Sequence, residues 1–230
     1  MISKAVIVFL RAPEEGRVKT RLSRGLSNAF VLELYKAFVC DTLEALSLTG
    51  DKHLYFWPRG KEKTLQEWLG TQYQYFLQQG ENIGQRMANA FVDIFKKGYD
   101  SALLVGTDIP ELSTNLICLA YDALQTKDAV IGPSSDGGYY LIGFEKSAFS
   151  KNMFDGIDWS TSAVMDQTIK IMNRMSIRYG LLEEMNDIDT PADFNALIER
   201  VKKGGKAGKR THRILDAYED GYINYHTCVK

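Results

Sequence analysis

The chain has 230 residues, of which 45% are hydrophobic and 25% are charged, and its formal net charge at pH 7 is −1. This length and apolar content are enough for one large domain with a substantial core. The near-neutral charge disfavours a general nucleic-acid-binding protein, which would carry a strong basic excess.

The cysteines and the apolar runs indicate the cellular compartment in which we expect the protein. Cys40, Cys118 and Cys228 are widely spaced and form no C-x-x-C pair, so they predict neither a disulfide framework nor a zinc site. The six-residue apolar run at 5–10 is too short for a signal peptide. No run approaches the roughly 18 apolar residues of a membrane span. We therefore expect a cytoplasmic protein without a membrane span.

Short apolar strands alternate with longer helical segments along the chain. Ser27 is a candidate cap for the first helix, whose face at 30, 34, 38, 42 and 46 repeats every four residues. The strands are predicted at 5–10, 53–57, 73–77, 101–106, 129–132, 139–144 and 177–182. The further helices are predicted at 61–69, 83–97, 113–124, 162–175 and from 191 onward. This order predicts an α/β three-layer sandwich with a mostly parallel central sheet and right-handed crossovers.

The composition changes near the C-terminus. The stretch KKGGKAGKR at 202–210 predicts a flexible basic linker before a short helix near 214–220. We therefore divide the chain into a domain at 1–201 and a tail at 202–230. The tail is either solvated or an arm that reaches an anionic substrate or a neighbouring subunit; deletion of 203–230 would lower affinity only for an arm.

The loop RAPEEGRVKTRL at 11–22, called the opening loop below, follows the first strand. In open α/β sheets, ligands bind beyond the carboxyl ends of the strands. A Walker phosphate loop is excluded, because Val18 stands where that motif needs a glycine before its lysine. The remaining interpretations are a solvated loop or a phosphate site in which Gly16 allows close backbone approach while Lys19 and Arg21 donate hydrogen bonds.

Two further strand ends carry carboxylates. Asp108 lies in VGTDIP at 105–110, and Asp136 precedes two glycines in PSSDGGYY at 133–140. An aspartate at a strand end is often only a turn former or a helix cap. Mg²⁺, however, uses only one or two protein carboxylates and fills its other positions with water and substrate phosphate. Asp108 meets that sparse requirement.

A second carboxylate is available in NDIDTPADF at 186–194. The motif offers Asp187 and Asp189 directly before a helix that begins at Pro191. Their alternative role is local, since Asp189 or Thr190 could simply cap that helix.

Six motifs, in order, make the chain recognisable: RAPEEGRVKTRL, GENIGQRMANAF, GTDIPEL, GPSSDGGYYLIG, DWST and DIDTPADF. Together they resemble a bacterial family of nucleotide-diphospho-sugar transferases that is often labelled radical-SAM/selenodomain-associated glycosyltransferase. More distantly, the chain is similar to the nucleotidyltransferases that make molybdopterin guanine dinucleotide and lactyl guanosine diphosphate. The resemblance covers roughly 5–197. It implies a GT-A type, Rossmann-like fold that binds a nucleoside di- or triphosphate through a divalent metal, Mg²⁺ or Mn²⁺.

The resemblance also implies roles for individual residues. Asp108 would be the main metal ligand and Asp189 the second, with Asp187 as the fallback. The glycines and cations of 11–21, including Arg11, would belong to the loop that holds the triphosphate. The acceptor or sugar side would be lined by Gly137, Gly138 and Tyr139.

The chain departs from the family pattern at two positions, and two segments keep alternative interpretations. Arg11 stands where relatives more often have Lys, and Asn82 where they commonly have Asp. Arg86 either contacts phosphate or lies on the exposed face of an amphipathic helix. Trp159 and Thr161 either shape the acceptor pocket or belong to a helix cap with the tryptophan packed behind it.

The leading functional hypothesis is nucleotidyl transfer from a nucleoside triphosphate to a small acceptor, with release of pyrophosphate. Mg²⁺ on Asp108 and Asp189 would bridge the phosphates, while Lys19 and Arg21 stabilise the leaving group. The second hypothesis is glycosyl transfer from a nucleotide sugar, with Asp136 as the base. Because Asp108 is followed by Ile-Pro instead of forming a D-x-D, the first is favoured. A non-catalytic nucleotide-binding module is the third.

Overall fold

A seven-stranded sheet lies at the centre of the protein in the computed structural model, which describes residues 3–219. The strands are β1 (Lys4–Arg11), β2 (Asp51–Trp57), β3 (Gln74–Leu77), β4 (Ser101–Val105), β5 (Ala129–Pro133), β6 (Tyr139–Glu145) and β7 (Tyr179–Leu181). The α-helices are α1 (Asn28–Ala45), α2 (Glu62–Leu69), α3 (Ile83–Lys96), α4 (Thr114–Leu124), α5 (Val164–Arg174), α6 (Pro191–Lys202) and α7 (Lys209–Glu219). Two short 3₁₀ helices span Leu22–Arg24 and Lys151–Phe154.

The strand order is β3-β2-β1-β4-β6-β5-β7, and every neighbouring pair is parallel except the two that involve β6. The predicted α/β sandwich with a mostly parallel sheet is therefore confirmed. The exception has a simple cause: only residues 134–138 join β5 to β6. A parallel crossover needs about a dozen residues or more, so this connection can only form a hairpin.

The sequence of strand β1 is continuously apolar because both faces of the strand are buried. Val6 and Val8 pack into a cluster with α1, α2 and α4 on one face of the sheet. Ile7 and Phe9 pack with α3 and α5 on the other face. A central parallel strand is covered on both faces, so successive side chains are all buried instead of alternating with polar ones.

Short polar side chains begin the helices that lead away from the sheet. Ser27 caps α1 as predicted, accepting a hydrogen bond from the N–H of Phe30 at 3.3 Å. At α6 the cap is Thr190, which forms a reciprocal capping box with Asp193. Asp189 is therefore not the cap, and its carboxylate is available to other partners.

The C-terminal helix begins earlier than the sequence predicted. Only residues 203–208 connect α6 to α7, which starts at Lys209 instead of near 214. The reason is tertiary: Asp41 of α1 accepts hydrogen bonds from the backbone N–H groups of Arg210 and Thr211, at 3.0 and 2.8 Å. Leu215 is buried against α1 and α6. The remainder of the predicted tail, 220–230, lies outside the described residues.

None of the helices within residues 3–219 combines the length and the apolar composition that a membrane span requires.

Candidate functional site

The polar loops singled out from the sequence meet at one edge of the sheet. The strands β1, β4, β5 and β7 end at this edge, and the antiparallel β6 begins there. A cleft of about 450 Å³ opens at it, next to the opening loop. Its walls include residues from the ends of β1, β2 and β4, from the start of α3, and from the segment before α6.

Lys19 lies at the centre of the charged groups in this cleft. Its ammonium nitrogen Nζ is 2.8 Å from Oδ1 of Asp108 and 2.6 Å from Oδ1 of Asp189. The lysine side chain is only 6% exposed. Its backbone φ of +46° lies in the left-handed region, which residues other than glycine seldom adopt. The fold thus holds Lys19 in an uncommon conformation that joins two carboxylates far apart in sequence.

The protonation of Lys19 follows from its surroundings. Burial by itself would lower the pKa of its ammonium, but Asp108 and Asp189 outweigh that effect and raise the pKa above its ordinary value. Lys19 is therefore a permanent cation at neutral pH.

The two carboxylates remain open to the cleft. The side chains of Asp108 and Asp189 are 47% and 36% exposed, and Lys19 contacts Oδ1 of each. The N–H of Ile188 donates to the carbonyl of Asp108 at 3.1 Å, which ties the two loops together. The neighbouring Asp187 has its pKa raised to about 6, by burial first and then by Asp136 and Asp189.

The carboxylates of Asp108 and Asp189 are suited to a hard divalent cation that takes only one or two ligands from the protein. Within the described residues, no group of three or more histidine, cysteine or carboxylate side chains forms a ready-made metal site. Mg²⁺ commonly takes one or two carboxylates and completes its shell with water and phosphate. Asp108 and Asp189 could supply that pair.

Three further cations line the cleft: Arg11, Arg21 and Arg86. The guanidinium carbon of Arg86 lies 4.0 Å from the centre of the Trp57 ring, and its Nε donates to the carbonyl of Gly80 at 3.1 Å. Arg86 is therefore held against the wall of the cleft. A planar guanidinium fixed in this way is suited to an anion.

Residues 12–17 of the opening loop lie outside the walls of the cleft. Gly16 has a φ of +70°, and a Cβ there would lie 3.4 Å from Nδ2 of Asn28. Glu14 is paired with Lys61 at 2.7 Å. Gly16 thus forms part of a turn, while Arg11 before that turn and Lys19 and Arg21 after it line the cleft.

The PSSDGGYY motif forms the hairpin turn between β5 and β6. Oδ1 of Asp136 accepts hydrogen bonds from Oγ of Ser134 at 2.5 Å and from the N–H of Gly138 at 2.9 Å. A Cβ on Gly137 would lie 2.3 Å from the carbonyl oxygen of Ser162, so only glycine fits there. Of the predicted acceptor-side residues in this motif, Tyr139 lines the cleft.

Trp159 packs away from the cleft, against the start of α3. A Cβ on Gly84 would lie 2.4 Å from the Trp159 ring, so the indole lies directly on that glycine. Thr161 donates its hydroxyl to the carbonyl of Asp158 at 2.7 Å. Helix α5 has Ala163 as its N-cap, without a side-chain hydrogen bond. Trp159 thus supports α3, which supplies Arg86 to the cleft.

Sequence reasoning missed several residues of the cleft. Trp57 is the last residue of β2 and Gln78 follows β3 at the same edge, so the strand-end rule could have found both. Tyr35 comes from the middle of α1, where no local signal marks it. Its hydroxyl donates to the carbonyl of Arg11 at 2.9 Å and accepts from the Arg11 N–H at 2.7 Å. Burial raises the pKa of Tyr35.

Comparison with known proteins gives one family match by sequence. Residues 42–161 match the model of a bacterial family described as "Uncharacterized protein conserved in bacteria (DUF2064)". No curated protein matches the chain.

Solved structures with the same fold are numerous. One described as a "putative nucleotide-diphospho-sugar transferase", from Desulfovibrio desulfuricans G20, is 36% identical over 96% of both chains, with a TM-score of 0.89. A 4-diphosphocytidyl-2C-methyl-D-erythritol synthase from Anaerococcus prevotii is 11% identical, covering 86% of this chain and 99% of its own, with a TM-score of 0.58. A cytidylyltransferase from Leptospira borgpetersenii is 10% identical, covering 100% and 99%, with a TM-score of 0.54.

Proposed function

The chain belongs to the bacterial family DUF2064 and is a transferase of the nucleotide-diphospho-sugar transferase type, and we propose that its reaction is metal-dependent nucleotidyl transfer. The donor would be a nucleoside triphosphate and the acceptor a small molecule. The acceptor oxygen attacks the α-phosphorus, the bond from that phosphorus to the β-phosphate oxygen breaks, and pyrophosphate leaves with the bonding electrons. The acceptor's proton passes to solvent.

The observation that carries the proposal is the distribution of charge in the cleft. Its walls contain four cationic side chains, those of Arg11, Lys19, Arg21 and Arg86. Among the described residues that line the cleft, the carboxylates are Asp108 and Asp189, with Asp187 as a neighbour outside the walls. A triphosphate has more negative charge to neutralise than the diphosphate of a nucleotide sugar, and this excess of cations is suited to it.

Five of the charged groups have proposed roles in this reaction. Lys19 and Arg21 would bind the β- and γ-phosphates and stabilise the negative charge that grows on pyrophosphate, with Arg11 beside them. Asp108 and Asp189 would hold the divalent metal. When bound, the metal supplies Lewis-acid polarisation of the phosphates. Catalysis then depends on positioning and charge, and no nucleophilic side chain is required.

The comparisons support the class of enzyme, whereas the proposed reaction is inferred from the residues of the cleft. The Anaerococcus and Leptospira proteins are named as cytidyl-group enzymes, but at 11% and 10% identity they share only the fold with this chain. The case for nucleotidyl transfer therefore rests on the cations of the cleft. It rests also on the segment Asp108-Ile109-Pro110, which lacks the second aspartate of a D-x-D motif and so disfavours glycosyl transfer.

Glycosyl transfer is the second candidate, and the hairpin turn after β5 is the feature that favours it. Asp136 is exposed, and both of its hydrogen bonds from Ser134 and Gly138 use Oδ1. Its Oδ2 could accept a proton from an acceptor hydroxyl. The products distinguish the two reactions: nucleotidyl transfer releases pyrophosphate, whereas glycosyl transfer releases a nucleoside diphosphate.

The first test is a thermal-shift panel of nucleoside triphosphates and nucleotide sugars, each with and without Mg²⁺ or Mn²⁺. A ligand that binds only the folded state raises the melting temperature. We expect the larger metal-dependent shifts among the triphosphates. Shifts confined to nucleotide sugars would overturn nucleotidyl transfer in favour of glycosyl transfer.

The site itself is tested by Asp108→Ala. We expect this variant to lose the metal-dependent part of nucleotide binding, because it removes one of two carboxylates in the cleft. Asp122→Ala is the matched control, since Asp122 is an exposed aspartate on α4 outside the cleft. Metal-dependent binding by Asp108→Ala at the wild-type affinity would show that the site is assigned wrongly.

A further inference from the structure

The loop that carries Asp108, residues 106–113, connects β4 to α4 and is called the Asp108 loop below. The proposed role of Asp108 requires its carboxylate to keep a fixed position, because a displacement of about 1 Å can cost about a hundredfold in rate. Lys19 holds one carboxylate oxygen, but it must also reach the phosphates. The backbone of the loop therefore needs other supports.

The first support is an ion pair from α6. The guanidinium of Arg200 donates from Nε and Nη2 to the two carboxylate oxygens of Glu111, both at 2.9 Å. The two side chains are 31% and 16% exposed, so the pair is largely withdrawn from water. A bidentate pair of this kind fixes the orientation of both partners more than it adds to stability.

The second support comes from the segment between α6 and α7. The N–H of Gly208 donates to the carbonyl of Pro110 at 2.8 Å. A Cβ on Gly208 would lie 2.2 Å from the carboxyl carbon of Asp41, so only glycine allows this approach. Asp41 in turn accepts hydrogen bonds from the start of α7, including both the N–H and the hydroxyl of Thr211. The position of Gly208 is therefore fixed from both sides.

Both supports contact the Asp108 loop close to Asp108 itself. Arg200 and Gly208 act on Glu111 and Pro110, the residues three and two positions after Asp108. We propose that Arg200 and Gly208 are positioning residues that set the Asp108 carboxylate for metal and phosphate. Residues 190–219 thus support the site, although none of them lines the cleft. This inference rests on the proposed function.

The test compares Arg200→Gln with Arg178→Gln. Arg178 makes a bidentate pair of the same geometry, but more exposed to water, with Asp128, at 2.9 and 2.8 Å, before β5 at the opposite edge of the sheet. Both variants lose a guanidinium–carboxylate pair, and only one pair touches the Asp108 loop. Glu111→Gln provides the same test from the other partner if Arg200→Gln does not fold.

The probe for binding is inorganic tripolyphosphate with Mg²⁺, measured by calorimetry. Loss of a group that orients a metal ligand typically costs 10- to 100-fold in metal affinity. We expect Arg200→Gln to weaken Mg²⁺-dependent binding about tenfold and Arg178→Gln to change it less than about twofold. We expect no comparable loss for tripolyphosphate without metal.

A second readout does not depend on any ligand. Amide hydrogen exchange of the free protein should become faster at 106–113 in Arg200→Gln, and it should stay at the wild-type rate there in Arg178→Gln. If the wild type shows no Mg²⁺-dependent binding, the proposed function fails, and the exchange rates still test the support of the loop. If the wild type binds and Arg200→Gln binds equally well, the positioning role is overturned, whether or not exchange changes.

Discussion

At the scale of single residues, Lys19 connects the parts of the site. Its ammonium occupies the space between Asp108 and Asp189 in the free protein, within 2.8 and 2.6 Å of their oxygens. A divalent metal bound by the same carboxylates would compete with that ammonium. We therefore expect the metal to enter together with the nucleotide, whose phosphates offer Lys19 new partners.

This competition predicts an unusual result for Lys19→Met. Without nucleotide, the variant should bind Mn²⁺ about tenfold more tightly than the wild type, because two uncompensated carboxylates remain. Its turnover should fall by about a hundredfold or more, because a donor to the leaving group is lost. Electron paramagnetic resonance of free Mn²⁺ and release of pyrophosphate measure the two effects.

Arg17→Met is the control, since Arg17 is an exposed cation of the same loop outside the cleft. It should leave both quantities near the wild-type values. Weaker Mn²⁺ binding in Lys19→Met would contradict the competition and indicate that the lysine organises the two carboxylates.

A second prediction at this scale concerns pH. His53 is buried on β2, and burial, followed by the charge of Lys97, lowers its pKa below the ordinary value of 6.5. The unfolded chain takes up a proton as the pH falls below about 6.5, while the folded chain resists it. The contribution of His53 to the free energy of unfolding should therefore decrease as the pH falls below 6.5, opposite in sign to the contribution of Asp187, whose pKa is raised.

Chemical denaturation at a series of pH values checks this prediction. His53→Gln should remove most of that decrease, whereas His212→Gln should retain it, because His212 lies exposed beside Asp216 on α7. Equal pH profiles for wild type and His53→Gln would contradict the assignment.

At the scale of elements, the start of α3 depends on one close contact. The Trp159 ring lies so near to Gly84 that an added Cβ would be 2.4 Å from it. Gly84→Ala should destabilise the protein by about 1–3 kcal/mol, because the ring or the helix must shift. Since α3 holds Arg86, nucleotide affinity should fall as well.

Denaturant unfolding of Gly84→Ala measures the change in stability. Gly106→Ala is the matched control for stability, since nothing lies within 4 Å of its added Cβ and its φ is not positive. Adding Trp159→Phe, which has a smaller ring, to Gly84→Ala should recover part of the lost free energy of unfolding. An unchanged free energy of unfolding for Gly84→Ala would show that the ring moves without cost.

At the scale of the whole molecule, α7 is part of the folded unit. Leu215 is 2% exposed and packs with residues of α1, α6 and the 3₁₀ helix that begins at Leu22. Leu215→Ala should cost about 2–5 kcal/mol, the usual range for a buried leucine. Removal of 203–230 should therefore lower stability before any effect on affinity can be interpreted.

Urea unfolding distinguishes the buried position from an exposed one. Leu119→Ala, on the outer face of α4 with 48% of the residue exposed, should change the free energy of unfolding by no more than about 0.5 kcal/mol. If Leu215→Ala behaved in the same way, α7 would lie outside the cooperative unit.

The sequence alone was sufficient for the α/β sandwich and for the edge of the sheet that carries the polar loops. Both follow from local patterns: the period of apolar residues, the turn residues, and the rule that strand ends meet. The direction of β6 could also have been inferred, since five residues allow only a hairpin.

Only the tertiary structure decided which polar residues meet. Lys19 and Asp189 are 170 positions apart, and no local pattern encodes their contact. The choice of Thr190 as the helix cap, which leaves Asp189 to Lys19, is by contrast local, because Thr190 and Asp193 form a capping box within one turn. The start of α7 was again decided by a distant contact, since the buried carboxylate of Asp41 outweighed the linker-like composition. Local sequence sets periodicity and turns, whereas ion pairs and buried contacts depend on which distant segments the fold brings together.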